Sequence, residues 1–369
     1  MERRKKLTAV FLLSVFLFSA VTVHAEETYE PENREESNIQ NDNSTYDIIV
    51  DKNNEAHYES IQEAINQAMS GSTIYVKIGT YSEIININKK INLIGEDKDK
   101  TFINLVSEKN SYAVRITTNG VKLSGFGIQN KGEGLYTTGI KISASQTTID
   151  DCNIFDTPVG IAIWSSYNTI SNCRFWGCED EGIAFLGSYL SECNNNIVKN
   201  CIFYENCDGI ELQYSSNNQI SNCEFYDNTH AGIDAIGSSN NDNIISNCEI
   251  YDNKVFGIYL SRSSGNQITQ SLLSNNKLMA SGSKDIKLTD CTLGTIYLID
   301  ESSLKIEDCE NLDESNIKTV NSEYQISSIE ESENSISETD SQREIRNRII
   351  NRIRSILSLW NVTRIRFRN

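Results

Sequence analysis

Beyond residue 25 the chain has no apolar run of the ~18 residues that a membrane-spanning helix needs, so nothing after that point is expected to cross a bilayer. Histidine and methionine are scarce, 3 of each in 369 residues. Past residue 25 only His57 and His230 remain, with Met69 and Met279 far from both in sequence, too few donors for a soft-metal site. Basic charge is short as well: 33 Lys and Arg stand against 51 Asp and Glu, a net −18. So acidic a chain does not suit nucleic acid, and a polyanionic substrate would need a bridging cation; a neutral glycan is easier to accommodate. Missing too are the Asn-bearing leucine motif and the strict six-residue step of two competing solenoid folds.

What is present is a phrase said six times. Gly-Ile-x-apolar begins at Gly139, Gly160, Gly182, Gly209, Gly232 and Gly257, with gaps of 21, 22, 27, 23 and 25 residues. Each is followed by a polar turn and then Ile-x-x-Cys-x-apolar, which sets a second comb at Cys152, Cys173, Cys201, Cys223, Cys248, Ser271, Cys291 and Cys309. Self-similarity at this period means one unit stacked on itself. In Gly209–Phe225 the alternation of Ile210 and Leu212 with Glu211 and Gln213 is that of a half-buried strand. Ile220 and Cys223 both point inward at an odd spacing, so the chain must turn a corner between them. The corner residues are Asp151, Asn172, Asn200, Asn222, Asn247, Gln270, Asp290 and Asp308. Asn and Asp tolerate the left-handed backbone a sharp corner requires. Three short strands per turn predict an all-β fold, a single-stranded right-handed parallel β-helix of roughly ten to eleven coils spaced ~4.8 Å apart, over residues 46–309.

Ile61, Ala64, Ile65 and Ala68 have helical spacing within Ser60–Met69, with Gly71 as the stop, and predict an N-terminal capping helix over the first coil. Residues 1–25 read as a secretory signal, with Arg3, Arg4, Lys5 and Lys6, an apolar stretch, then Val23-His24-Ala25. Cleavage after Ala25 takes the charge to −21 and implies a secreted or cell-surface protein. Residues 26–45 and 310–341 are acidic and polar and read as a disordered segment and a linker. Residues 342–369 invert the sign, with eight arginines against Glu344. This tail suits an anionic membrane face or cell-wall polymer; equally, it suits a cap on the acidic solenoid.

Ten cysteines in an exported chain first suggest disulfides. Seven of them, however, fall at equivalent inward positions, where cysteine behaves as a small hydrophobe, so a reduced thiol stack is expected. Cys178, Cys193 and Cys207 fall outside that comb and leave room for one disulfide of undetermined pairing. Parallel spacing does not give a tetrahedral thiolate set, which argues against a metal in the stack.

The stretch Tyr58-Glu59-Ser60-Ile61-Gln62-Glu63-Ala64-Ile65, then Gly71–Val76, Gly79–Glu83 and Ile91–Glu96, resembles the start of many right-handed β-helix proteins. It is most similar to the NosD-like group, and also to the broader pectin-lyase-like and carbohydrate-processing β-helices. The resemblance covers about residues 46–309 and implies the fold and a carbohydrate-related role. The copper role of the NosD group is unsupported here for want of donors. The aspartate-bearing Gly-x-Val-Asp-Phe-Ile-Phe-Gly signature of pectin methylesterases has no match either.

Stacking the coils aligns one outward column, Lys141, Ala162, Ala184, Glu211, Asp234 and Tyr259. The next reads Ser143, Trp164, Leu186, Gln213, Ile236 and Ser261, and the turns before the glycines add Asp180, Glu181, Asp208 and His230. Glu211 and Asp234 would then stand ~5 Å apart, the separation of a retaining glycosidase, with His230 beside them. The same two carboxylates would suit Ca²⁺. Trp164, Asp208, Gln213, Tyr259 and Arg262 are the candidate substrate-binding residues, and the 187–195 loop a candidate wall. An acidic solenoid also brings carboxylates together by chance, so the expectation is an exported protein that binds carbohydrate at or outside the cell surface. A hydrolase or lyase acting through Glu211, Asp234 and His230 is the alternative, and a structural or adhesive stalk the third.

Overall fold

The computed structural model describes residues 46–53, 56–134 and 136–327. The signal at 1–25, the 26–45 segment, the 342–369 tail and the linker beyond residue 327 lie outside the described residues. Within them the chain winds as a parallel β-helix with three faces. Strands of the first sheet number 13, of the second 9 and of the third 11, and successive strands of each sheet come from successive coils. The pairings are parallel throughout, as in Thr148↔Thr169 of the first sheet, Phe175↔Phe203 of the second and Ile210↔Ile233 of the third. No helix among the described residues is long and apolar enough to cross a membrane.

The corner between the first and second sheets is made as the odd spacing demands. Asp151, Asn172, Asn200, Asn222, Asn247, Gln270, Asp290 and Asp308 all have positive φ, between 47° and 56°. Just inside it runs the cysteine comb. Each thiol donates to the carbonyl two residues back, as Cys173 does to Ser171 at 3.1 Å and Cys223 to Ser221 at 3.2 Å. Ser271 makes the same bond to Thr269 at 2.9 Å, so the hydroxyl replaces the thiol without altering the rung. All ten cysteines are free thiols, and the possible bridge among Cys178, Cys193 and Cys207 is not formed. Cys193 instead donates to the Ser165 carbonyl at 3.1 Å.

The repeated glycine has a steric reason. A Cβ on Gly182 would lie 2.7 Å from the Gly209 carbonyl, one on Gly209 2.5 Å from that of Gly232, and one on Gly232 2.8 Å from that of Gly257. Each coil's backbone therefore passes too close to the next for any side chain. Two buried asparagine ladders tie the turns on either side. Asn168, Asn196, Asn218, Asn243 and Asn266 form one, and Asn206, Asn228, Asn253 and Asn276 the other. In the first, each amide nitrogen of Asn168 through Asn243 and each of their backbone N–H groups donates to the next rung, and the amides of Asn168, Asn196 and Asn243 also reach Ser165, Cys193 and the Ser215 carbonyl respectively. Buried turn amides are thus satisfied without water.

The helix spans Ile61–Gln67, ending short of Met69 because Ala68 already has an extended backbone. It follows a first-sheet strand, Ile48–Val50, that the repeat pattern does not announce. Ile61, Ala64 and Ile65 are buried, and the Glu83 carboxylate accepts from Ser60 Oγ and from the N–H groups of Ile61 and Gln62. The Gln62 side-chain amide accepts from Asn86 N–H at 2.6 Å, so it supplies the partner that a neighbouring strand would give at the end of the third sheet. At the other end the ladder runs past residue 309. Ile317–Val320 pairs with the strand at Ile296–Ile299, and Glu323–Ser327 with Ser303–Glu307. These rungs escape the repeat pattern because they carry neither its Gly-Ile nor its Ile-x-x-Cys marks, and most of their residues are exposed.

Candidate functional site

The outer face of the third sheet carries the aligned column in register. Lys141 pairs with Ala162, Ala162 with Ala184, Ala184 with Glu211, Glu211 with Asp234 and Asp234 with Tyr259. A parallel column on the residue before each glycine joins Glu181 to Asp208, Asp208 to Ala231 and Ala231 to Phe256. The two columns together place Glu181, Asp208, Glu211, His230 and Asp234 on adjoining coils. Glu181 belongs to this cluster as much as Glu211 does, since it occupies in Glu181-Gly182 the place that Asp208 has in Asp208-Gly209. That alignment was visible in the repeat.

His230 Nδ1 lies 2.8 Å from Asp208 Oδ1 and 3.6 Å from Asp234 Oδ2. Asp208 also accepts from Ala231 N–H at 2.8 Å. Glu181, Asp208 and Asp234 are buried, and Glu211 and His230 are half-buried. Burial out of water disfavours the charged form, and neighbouring carboxylates add to it. Burial first, then Glu211 and Asp180, push Glu181 up to about 9. Burial, then Asp208 and Glu211, push Asp234 up to about 8. Glu211 is raised to about 7, chiefly by burial and Asp180, with a hydrogen bond to Glu181 acting the other way. Asp208 is raised by burial despite the opposing pull of His230. Near neutral pH the cluster therefore holds protonated acids beside an ionisable carboxylate and an oriented imidazole, the ingredients of general acid–base work.

Aromatic and apolar groups flank the acids along the helix axis. On one side Trp164 packs with Val159, Ala162, Ala184 and Leu186, and Lys141 stands 4.6 Å from the Trp164 ring centre. On the other side Phe256 meets His230 edge-on at 5.6 Å and stacks on Tyr259 at 5.3 Å. Gln213 is level with Leu186, at the margin of the cluster. Arg262 does not join it; it occupies an exposed turn beyond Ser261 with φ 45°. The tip of the 187–195 loop is a tight Ser188–Ser191 bridge with Tyr189 and Leu190 at 90% and 92% exposure, so these two side chains project into solvent. Among the described residues, Asp208, His230 and Asp234 form a group of three donors that converge closely enough for a cation, and Asp234 also stands level with Glu211.

A second outer face carries an aromatic row that the repeat did not reveal. Phe155, Trp176, Tyr204, Tyr226 and Tyr251 stack on the second sheet with centroids 4.7–5.9 Å apart and planes within 8° of parallel. Their flat faces cover one another, so the row presents edges outward and offers no open ring face to a sugar. It reads as rung-to-rung packing.

Comparison with known proteins agrees on the fold. The family described as "Right handed beta helix region" matches residues 89–241 and 185–294, between them more than half of the chain. A pectinesterase/pectinesterase inhibitor of Arabidopsis thaliana is 29% identical over 126 residues, covering 30% of this chain and 23% of its own length. The chain thus spans about a quarter of the curated relative it matches. Among solved structures, the A-module of a mannuronan C-5 epimerase from Azotobacter vinelandii superposes with a TM-score of 0.57 at 15% identity, covering 73% of this chain and 86% of the module. A pectate lyase superposes with a TM-score of 0.50 at 15% identity, covering 79% and 81%. Likeness at these identities establishes a common fold.

Proposed function

This chain belongs to the right-handed β-helix family, and from that premise we propose that it is an exported protein that binds polysaccharide along the outer face of the third sheet. One observation carries the reading: buried carboxylates, which stacking does not require, are gathered between two aromatic walls on an otherwise regular ladder. From Ala162 to Tyr259 the column spans four rungs, roughly 19 Å at ~4.8 Å each, a footprint for a chain of sugars rather than a single one. Protonated Glu181 would donate to sugar hydroxyls, Glu211 would accept, and Trp164 and Tyr259 would pack against the rings. The names of the relatives, which include a pectinesterase, a mannuronan epimerase and a pectate lyase, support a polysaccharide partner in general. Affinity electrophoresis of the chain lacking residues 1–25 against a panel of neutral and acidic polysaccharides tests this. Retardation by at least one polymer, weakened roughly tenfold in Trp164→Ala or Tyr259→Ala, is expected; an empty panel would favour a structural stalk.

A catalytic reading has its own support in the raised pKa values of Glu211 and Asp234, adjacent in register. In it Asp234 is the general acid, Glu211 the carboxylate across the bond, and Asp208 orients His230. Release of oligosaccharides or unsaturated uronates, abolished in Glu211→Ala and Asp234→Ala, would establish it. Binding without turnover would leave the first reading standing.

A further inference from the structure

Three donors on two adjacent coils, the carboxylates of Asp208 and Asp234 and Nδ1 of His230, lie within 4.8 Å of one another. Both aspartates are buried, each 4% exposed. The contacts of 2.8 Å and 3.6 Å from Nδ1 bracket the ~3.3 Å that separates ligands bound at about 2.0–2.2 Å around a tetrahedral ion. A hydrogen bond between His230 and Asp208 accounts for the shorter contact. It does not account for Asp234, whose Oδ2 makes the 3.6 Å contact and whose Oδ1 is buried with no hydrogen-bond partner among the described residues. A buried carboxylate oxygen left unpaired is costly, and a cation in the space it shares with Asp208 and His230 supplies the missing partner.

We propose that Asp208, His230 and Asp234 hold one first-row divalent transition-metal cation, Zn²⁺ in preference to Mn²⁺. An imidazole donor selects this class over Ca²⁺, which takes six to eight oxygens. Three protein ligands leave positions open to water or to a hydroxyl of a bound molecule. The surroundings hold the donors in place: Ala231 N–H fixes the Asp208 carboxylate, and the edge of Phe256 supports the His230 ring. The site shares its face with the proposed glycan surface but rests on the donor geometry alone.

Isothermal titration of the EDTA-stripped chain with ZnCl₂, MnCl₂ and CaCl₂ tests it. One saturable site per chain is expected, tighter for Zn²⁺ than for Mn²⁺ and absent for Ca²⁺. Asp234→Asn and His230→Ala should each weaken Zn²⁺ binding at least about 100-fold. Zinc also seeks thiols, so Cys207→Ser, at the half-buried cysteine next to Asp208, is the control and should bind as the parent does. His230 is half-buried, so His230→Ala keeps the test open should Asp234→Asn not fold, with far-UV circular dichroism confirming the β-sheet. The absence of saturable binding would overturn the proposal, as would parental affinity in the folded variants, loss in Cys207→Ser, or a preference for Ca²⁺. Polysaccharide retention is read separately and can persist or fail whatever the titration gives.

Discussion

The inside of this solenoid and the outer face of its third sheet obey opposite rules. Inward, each column keeps one chemistry from rung to rung: thiols with a single hydroxyl stand-in, asparagines in two ladders, Phe175, Phe203 and Phe225 stacked at 4.7 and 4.8 Å. Outward, the column beside the glycines runs Lys, Ala, Ala, Glu, Asp, Tyr, with no two successive rungs alike from Ala184 to Tyr259. A parallel stack is stabilised by sameness, because like groups at one rung spacing fit and bond one another. Where a column abandons sameness and buries carboxylates instead, stacking has ceased to be the reason for the residues.

Breaking the inner rule should therefore cost most. Gly209→Ala would press a methyl to within 2.5 Å of the Gly232 carbonyl and 2.6 Å of the Phe225 ring, with backbone on one side unable to yield. A loss of about 3 kcal/mol, read from urea denaturation, is expected. Asn228→Ala comes next, about 2 kcal/mol, because Asn228 accepts from the Asn206 backbone and side chain and donates to Phe203 and Asn253. Cys223→Ala should cost about 1 kcal/mol, the worth of one small buried group. Arg262→Ala should lie within about 0.5 kcal/mol of the parent and leave polysaccharide retention unchanged, since it stands in an exposed turn apart from the cluster. A large effect there would mean that the face extends further than the cluster suggests.

The inner rule was legible in the sequence because it repeats. The cysteine comb and its odd spacing gave the corner, and all eight corner residues take the left-handed backbone. The same repeat put Glu211 beside Asp234 and Tyr259. Harder to read were features whose partners lie on different faces or outside the repeat. Glu181 precedes its glycine as Asp208 does, yet its burial depends on packing that no spacing reports. The asparagine ladders were hidden because turn asparagines look alike whether they face water or the interior. The stacked Phe155–Tyr251 row mixes Phe, Trp and Tyr, and the last rungs at Ile317–Val320 and Glu323–Ser327 lack the glycine and cysteine marks of the repeat. Arg262 is a substrate-binding candidate by its charge, whereas the structure puts it in an exposed turn apart from the acids.

The central claim is that the acid cluster burdens the fold and so exists for something else. Carboxylates whose pKa values are raised on folding hold protons more tightly folded than unfolded. Their unfolded values lie near 4, so the folded state loses stability as pH climbs from there through about 7 for Glu211, 8 for Asp234 and 9 for Glu181. Urea unfolding of the parent and of Glu181→Gln at pH 5 and pH 9 reads this directly. The parent should weaken markedly between the two, and Glu181→Gln should weaken less and be the more stable protein at pH 9. Equal slopes in both, or a steeper fall in Glu181→Gln, would contradict the account.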